Sequence, residues 1–314
     1  MTLAECIDAY VAFKRSLGMR FRAEAELLQA FSRTVGPIDL AAVTPDAVRA
    51  FVAGAGPVTA FWRQKWIILR GFYRFALSRG FANACPVVMT LPQLPAPLTP
   101  HIYSQEELTR LLAAAETLHD PRSPLRALTF RTLLLLLYST GMRVGEALSL
   151  TLHDVDVREC LVTVRDTKFF KTRLVPTGPQ LTQALAIYVA RRRQLGLPVG
   201  DASTFFATRT GQALCYDVVN LLFRRMRRRA GIRREAGARY QPRLHDLRHT
   251  AAVHRLIAWY RAGADVQRLL PHLATYLGHV DIVSTQRYLT MTPELLREAS
   301  QRFEQYAQPE VCHD

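Results

Sequence analysis

The residues in this chain best suited to chemistry are one tyrosine and a scattered set of cations. Tyr288 closes the run Leu277-Gly278-His279-Val280-Asp281-Ile282-Val283-Ser284-Thr285-Gln286-Arg287-Tyr288, with isolated basic residues upstream. A tyrosine that attacks a phosphodiester needs cations around the phosphate and a proton donor for the leaving oxygen. Arginine suits the nonbridging oxygens, because its planar fork donates two parallel hydrogen bonds and stays charged. Arg143 falls where Gly141 ends a leucine-rich helix and the next one begins, and exposed amides there favour anions. Glu146, one turn further on, can hold its guanidinium. Arg248, in Leu244-His245-Asp246-Leu247-Arg248-His249, shares a helix face with His245, so the two can address one phosphate. Lys168, at the tip of a predicted hairpin, could reach into a cleft and protonate a departing oxygen. His279 precedes Tyr288 by nine residues, and Gly278 lets the chain turn sharply beside it.

Each residue also has a plainer reading. Arg143 and Glu146 could be an ordinary surface ion pair, and Lys168 a solvated lysine. His279 could cap a helix or sit in a core, and Tyr288 could be a half-buried packing residue. A zinc site is a further rival, because His245-Asp246-x-x-His249 imitates the HExxH helix. Against it, Asp is one carbon shorter than the usual general base, and Arg248 puts a cation beside the metal position. No metal and no cofactor is expected.

The elements that must hold these groups come from a chain long enough for two domains. Its 314 residues are 49% hydrophobic, ample for a large core. Lys and Arg number 41 against 26 Asp and Glu, a formal charge of +15 that favours a polyanionic partner, nucleic acid first and an anionic membrane surface second. The longest apolar run, from Leu133 to Tyr138, is far short of the roughly 20 residues that span a bilayer, so it reads as a buried helix and no membrane span is expected. The N-terminus has no apolar signal core, and the five cysteines are scattered without a CxxC pair. Both point to a reducing cytoplasm, with neither zinc nor a disulfide framework.

Within a first domain over residues 1–90, the chain from Thr2 to about Gly80 has helical apolar spacing, as in Leu3, Cys6, Ile7, Tyr10 and Val11. From Pro57 to Leu77 aromatics and bases interleave: Phe61, Trp62, Arg63, Lys65, Trp66, Arg70, Phe72, Tyr73 and Arg74. The aromatics at that period are core, leaving Arg63, Lys65, Arg70 and Arg74 to face phosphates. Prolines at 86, 92, 95, 97 and 100 make 91–103 a linker. Ser104, with Glu107 three residues on, is a capping box that opens the second domain, 104–314. Two β-type runs, 160–165 and 172–176, flank Thr167-Lys168-Phe169-Phe170-Lys171 and predict a hairpin or a three-stranded sheet. Helices are expected again over 179–195, 215–229, 245–262 and 265–277. A last one follows Thr292-Pro293, with Leu295, Leu296, Ala299 and Phe303 as its apolar stripe. The fold class is therefore mainly α with a small antiparallel β-sheet.

In order along the chain, Thr-Gly-Met-Arg-Val-Gly-Glu-Ala-Leu, the hairpin Lys168, His-Asp-Leu-Arg-His, Leu-Gly-His and Tyr288 closely resemble the tyrosine recombinase family, of phage-integrase and Xer-like type. The resemblance is strong over about residues 104–305 and looser over the helical N-terminal module, which it implies is a core-binding domain on DNA. It implies Arg143 and Arg248 as phosphate clamps, Tyr288 as the nucleophile of a 3′-phosphotyrosyl link, and Lys168 as general acid toward the 5′ oxygen. His245 would be a proton-transfer partner of the tyrosine, His279 a hydrogen-bond donor to the phosphate, and Glu146 a support behind them. Lys171 competes with Lys168, which is preferred because Thr167-Lys168 matches the family's usual Gly-Lys. Neither metal nor ATP is implied, since the covalent link conserves the phosphodiester energy. Cutting and rejoining of DNA, in integration, resolution or transposition, is the implied activity. A type IB topoisomerase and a non-enzymatic DNA-binding protein are the alternatives.

Among the bases, Arg224, Arg225, Arg227 and Arg228 belong to the densest run, and some should meet phosphates of double-stranded DNA. A basic module at each end of a Pro-rich strap is the expected plan for a clamp around the duplex. A dimer or tetramer on DNA, joined through the last helix, is implied by the resemblance alone.

Overall fold

The computed structural model describes residues 1–56, 58–88, 90, 93, 98–165, 172–235, 238, 240–279 and 281–307. The chain divides into two compact units, Met1–Leu98 and Thr99–Asp314. Residues 91, 92 and 94–97 of the expected linker, and both Lys168 and Lys171, lie outside the described residues.

Among its described residues the first unit has four α-helices, α1 (Leu3–Ser16), α2 (Arg22–Val35), α3 (Pro45–Ala53) and α4 (Ala60–Ser78). Local chemistry starts each of three: Thr2 and Glu5 form a capping box on α1, and the Thr44 and Thr59 hydroxyls accept from the third residue of α3 and α4. Helix α4 therefore begins three residues later than Pro57. Trp62, Trp66, Leu69, Phe72, Tyr73 and Ala76 form its buried stripe. Tyr10 from α1 meets Phe72 edge-on at 5.8 Å, the geometry favoured by the ring quadrupoles. Phe61 is the exception among the aromatics and lies exposed.

The second unit has nine helices among its described residues. Helices α5 (Gln105–Glu116) and α6 (Arg126–Thr140) pack together, α7 (Val144–Leu148) follows a tight turn, and α8 (Pro179–Gln194) lies against α6. The Ser104–Glu107 capping box on α5 is present as the spacing predicts. Helix α6 buries residues around most of its circumference, including Phe130, Leu133, Leu134, Leu136 and Leu137, so it is the central rod of this unit. Between α7 and α8 runs a three-stranded antiparallel sheet in the order β1 (Val155–Asp156), β2 (Leu161–Val164), β3 (Arg173–Pro176). Val162 pairs with Val175, and with Val164 they turn one face of the hairpin into the core.

Helix α9 (Tyr216–Arg229) ends in the arginine run. Helices α10 (Asp246–Arg261), α11 (Val266–Leu277), α12 (Val283–Gln286) and α13 (Pro293–Ala307) follow among the described residues. The Thr292 hydroxyl accepts from the Leu295 amide and caps α13 as expected. Its apolar stripe is narrower than the spacing implied: Leu295 is fully buried, but Leu296 is 48% exposed. The Phe303 side chain lies outside the described set. Leu295 joins a core with Ala252, Val253, Leu256 and Leu277, and Arg261 of α10 pairs with Glu294 and Glu298, so α13 packs within its own unit.

Candidate active site

The turn between α6 and α7 comes first in building the site. Gly141 ends α6 with φ of 61°, a left-handed conformation that costs other residues more. A Cβ there would stand 2.5 Å from Leu277 Cδ2, so the turn also presses against α11. This conformation delivers Arg143 to the N-cap of α7. Its backbone amide donates to Glu146 Oε2 at 2.9 Å, Nη1 donates to Glu146 Oε1 at 2.9 Å, and Nη2 donates to the Gly278 carbonyl at 3.3 Å. Glu146 does hold the guanidinium, as its place one turn on suggests.

Arg248, on the first turn of α10, is 3% exposed. Its Nη1 donates to the Gly141 carbonyl at 2.7 Å, and its Nη2 is buried with no partner among the described residues. Burial and then the Arg143 charge push its pKa down to about 10. A guanidinium that is desolvated, repelled by a second one and left with an unused donor is a site that gains from an anion.

The histidines and Tyr288 line the same region. Tyr288 lies in a 3₁₀ turn, Arg287–Thr290, and is 2% exposed. Its ring stacks on His279 with centroids 6.0 Å apart and meets His249 at 5.6 Å. This burial is deeper than the half-buried packing position that the sequence suggests. This 3₁₀ turn packs on α10, the helix that carries Arg248. His279 Nδ1 lies 2.6 Å from the Thr285 hydroxyl, and burial followed by the Arg248 and Arg143 charges lowers its pKa to about 4. His245 is exposed at the N-terminus of α10. Partial desolvation by the surrounding side chains, and then the charges of Arg248, Arg243 and Arg143, lower its pKa too.

The structure thus gathers Arg143, Glu146, Arg248, His245, His279 and Tyr288 from four separate stretches of chain. Asp246 is engaged elsewhere: its carboxylate takes hydrogen bonds from the Arg243 amide, Nε and Nη2. No cluster of three or more metal-ligating side chains occurs among the described residues.

Two residues that the sequence reading assigned no part in phosphoryl transfer, Arg173 and His249, belong here. Arg173, at the start of β3, is a second partner of Glu146: Nη2 reaches Oε2 at 2.7 Å and Nη1 reaches Oε1 at 3.2 Å. Its Nε donates to the Tyr276 carbonyl at 3.2 Å. A signal existed, since strand alternation puts Arg173 on the face of buried Val175, where an arginine needs a carboxylate. His249 lies between His245 and Tyr288, its Nδ1 buried without a partner among the described residues, and burial lowers its pKa to about 4.

The expected DNA contacts are less uniform than the sequence suggests. Arg63, Arg70 and Arg74 are exposed on α4. Lys65 is instead committed within its own unit, donating to the Phe51 carbonyl at 2.7 Å with its ammonium over the Phe51 ring. Arg224, Arg225 and Arg228 are exposed on α9, but Arg227 is partly buried and donates to the Pro242 carbonyl at 2.8 Å.

Residues 102–294 match the phage integrase family. A protein of Sinorhizobium fredii (strain NBRC 101917 / NGR234) that carries the name integrase/recombinase y4rB is 34% identical over 308 residues, covering 96% of this chain and 97% of that one. Tyrosine recombinase XerC of Oceanobacillus iheyensis is 32% identical over 285 residues, covering 89% and 87%. Among solved structures, a lambda integrase dimer bound to a COC' core site superposes with a TM-score of 0.63 at 20% identity, over 90% of this chain and 97% of that one. With the match to the family reaching across the whole candidate site, the chain belongs to the phage integrase family and is a site-specific tyrosine recombinase.

Proposed function

We propose that this recombinase cuts and rejoins double-stranded DNA through Tyr288. The observation that carries this reading is the buried Nη2 of Arg248, unpartnered among the described residues and set beside Arg143, His279 and the Tyr288 ring. Arg143 and Arg248 clamp the scissile phosphate. The Tyr288 oxygen attacks phosphorus and passes its proton to His245, the P–O5′ bond breaks, and Lys168 supplies the proton to the departing 5′ oxygen. A 3′-phosphotyrosyl link remains, and the reverse steps from a new 5′ hydroxyl reseal the strand. His279 donates to a nonbridging oxygen through Nε2 while Thr285 holds its Nδ1. Because Tyr288 is almost fully buried, binding of the duplex has to loosen the packing around residues 281–290 before attack.

The basic balance of the chain supports duplex DNA as partner. In the first unit, a core-binding domain over residues 1–90, Arg63, Arg70 and Arg74 contact the phosphate backbone. In the catalytic domain, residues 104–314, Arg224, Arg225 and Arg228 do so. Copies of the chain assemble on DNA as dimers or tetramers through α13, whose exposed Leu296 offers an apolar contact. No described helix is long and apolar enough to cross a membrane, and we place this activity in the cytoplasm. Incubation with a nicked suicide substrate tests the chemistry: wild-type protein should form a covalent adduct, and Tyr288→Phe should bind the duplex without forming one. An adduct from Tyr288→Phe sinks the assignment of the nucleophile.

A further inference from the structure

Arg173 is a guanidinium at the site that the proposed cleavage does not use. Its side chain is 11% exposed, so it is not a surface contact for DNA. It spends its donors on three points: both oxygens of Glu146 and the carbonyl of Tyr276. Its guanidinium also fills the space over Gly278, where a Cβ would stand 2.7 Å from Nη1. Gly278 has φ of 72°, and its carbonyl accepts from Arg143. Arg173 therefore touches the carboxylate that holds Arg143 and the turn that leads to His279.

The charges give this contact its meaning. Glu146 faces two guanidiniums, one on each side. Burial alone would raise its pKa, but hydrogen bonds from Arg173 and the Arg143 amide outweigh that and hold the carboxyl at about 2. It is an anion at any working pH. With Arg143 alone it would make a neutral pair, and a neutral pair has no net charge to set against a phosphate. With Arg173 added the cluster carries one net positive charge, and Arg143 is the half-exposed member that can meet a ligand.

We propose that Arg173 is a positioning residue of the cleavage site, balancing Glu146 so that Arg143 meets the scissile phosphate as part of a net cation instead of as half of a neutral ion pair. This role rests on the reading of Arg143 as a phosphate clamp. It is distinct from a purely structural role, because the harm done by losing Arg173 comes from the charge left on Glu146, and removing that charge should undo part of it.

The full-length protein with a nicked suicide duplex tests this, reading the rate of adduct formation at saturating DNA and the duplex affinity separately. Arg173→Met should slow adduct formation by roughly ten- to a hundredfold, the scale of one lost hydrogen bond to a charged group, with affinity little changed. Adding Glu146→Gln to Arg173→Met should recover about fivefold or more, the signature of two coupled residues. Arg173→Lys keeps the cation and should cleave at close to the wild-type rate. An unimpaired Arg173→Met, or a double variant no faster than Arg173→Met, overturns the proposal. If Arg173→Met does not fold, a folded Arg173→Lys decides the matter: near-normal cleavage supports charge balance, and a tenfold or larger loss overturns it. No adduct from wild-type protein would instead overturn the proposed function itself.

Discussion

Two groups of arginines in the second unit teach opposite lessons. The run on α9 is dense in sequence and open to solvent, with Arg224, Arg225, Arg228 and Arg229 all exposed. Arg143, Arg173 and Arg248 are spread over the N-cap of α7, β3 and α10, and Arg173 and Arg248 are largely hidden. Exposed cations are each fully hydrated and screened, so one more or less changes little. Buried cations have lost water and must be answered by named partners, so their positions are fixed and their electrostatics strong. In the proposed function, the first group grips the duplex and the second carries the chemistry.

That contrast breaks most sharply at Arg248. Arg248→Gln removes the Gly141 tether and the free donor at once, and should lower adduct formation by roughly 10²–10³, as loss of one preorganised donor usually does. Duplex affinity measured in parallel should hold. A matched loss in both quantities would mean that Arg248 belongs with the gripping arginines.

The turn that carries the buried group can be strained without touching a charge. Gly141→Ala meets both the left-handed backbone and Leu277, and should destabilise the protein by about 1–3 kcal/mol in urea unfolding. An unchanged midpoint would show that the turn relaxes freely and does not anchor Arg248.

Protons probe the same pocket. His249 and His279 have folded pKa values near 4, below the 6.5 expected when unfolded. Between those values the unfolded chain binds more protons than the folded one, so stability is fully present above pH 6.5 and declines as pH falls toward 4. Glu146, held near 2 from 4.5, adds a second decline below pH 4.5. Urea midpoints that stay level from about pH 7 to about pH 4.5 would contradict the histidine part. Bound duplex should shift the His279 titration upward, measurable by NMR, because a phosphate favours the imidazolium.

The smallest effects belong to α9. Arg225→Ala or Arg228→Ala should weaken the duplex uniformly across sequences and reduce the salt slope by about 1 for each phosphate no longer neutralised, with cleavage at saturating DNA intact. Arg227→Ala should behave differently, costing stability through the Pro242 carbonyl it now satisfies. If all three behave alike, the division between exposed and committed arginines on this helix fails.

Much of this architecture is written locally. Ser104 and Glu107 announce α5, Thr292 announces α13, and the leucine run forecasts the buried rod α6, because caps and periodicity act within one or two turns. The ordered motifs around Arg143, His245, Arg248, His279 and Tyr288 likewise mark the site before any packing is known. Other features depend on neighbours far along the chain. Nothing near Lys65 in sequence reveals that the Phe51 carbonyl will hold it, and nothing beside Leu296 shows that α10 will cover Leu295 alone.

By itself, then, the sequence determined the helices, the hairpin strands and the set of residues able to handle a phosphate, since these follow from short-range hydrogen bonding and side-chain chemistry. Only the tertiary structure decided that Arg173 would share Glu146 with Arg143, that one Arg248 donor would go unanswered among the described residues, and that Tyr288 would be buried between two histidines. The reason is that desolvation and charge balance depend on which distant segments meet, and spacing along a chain does not encode that directly.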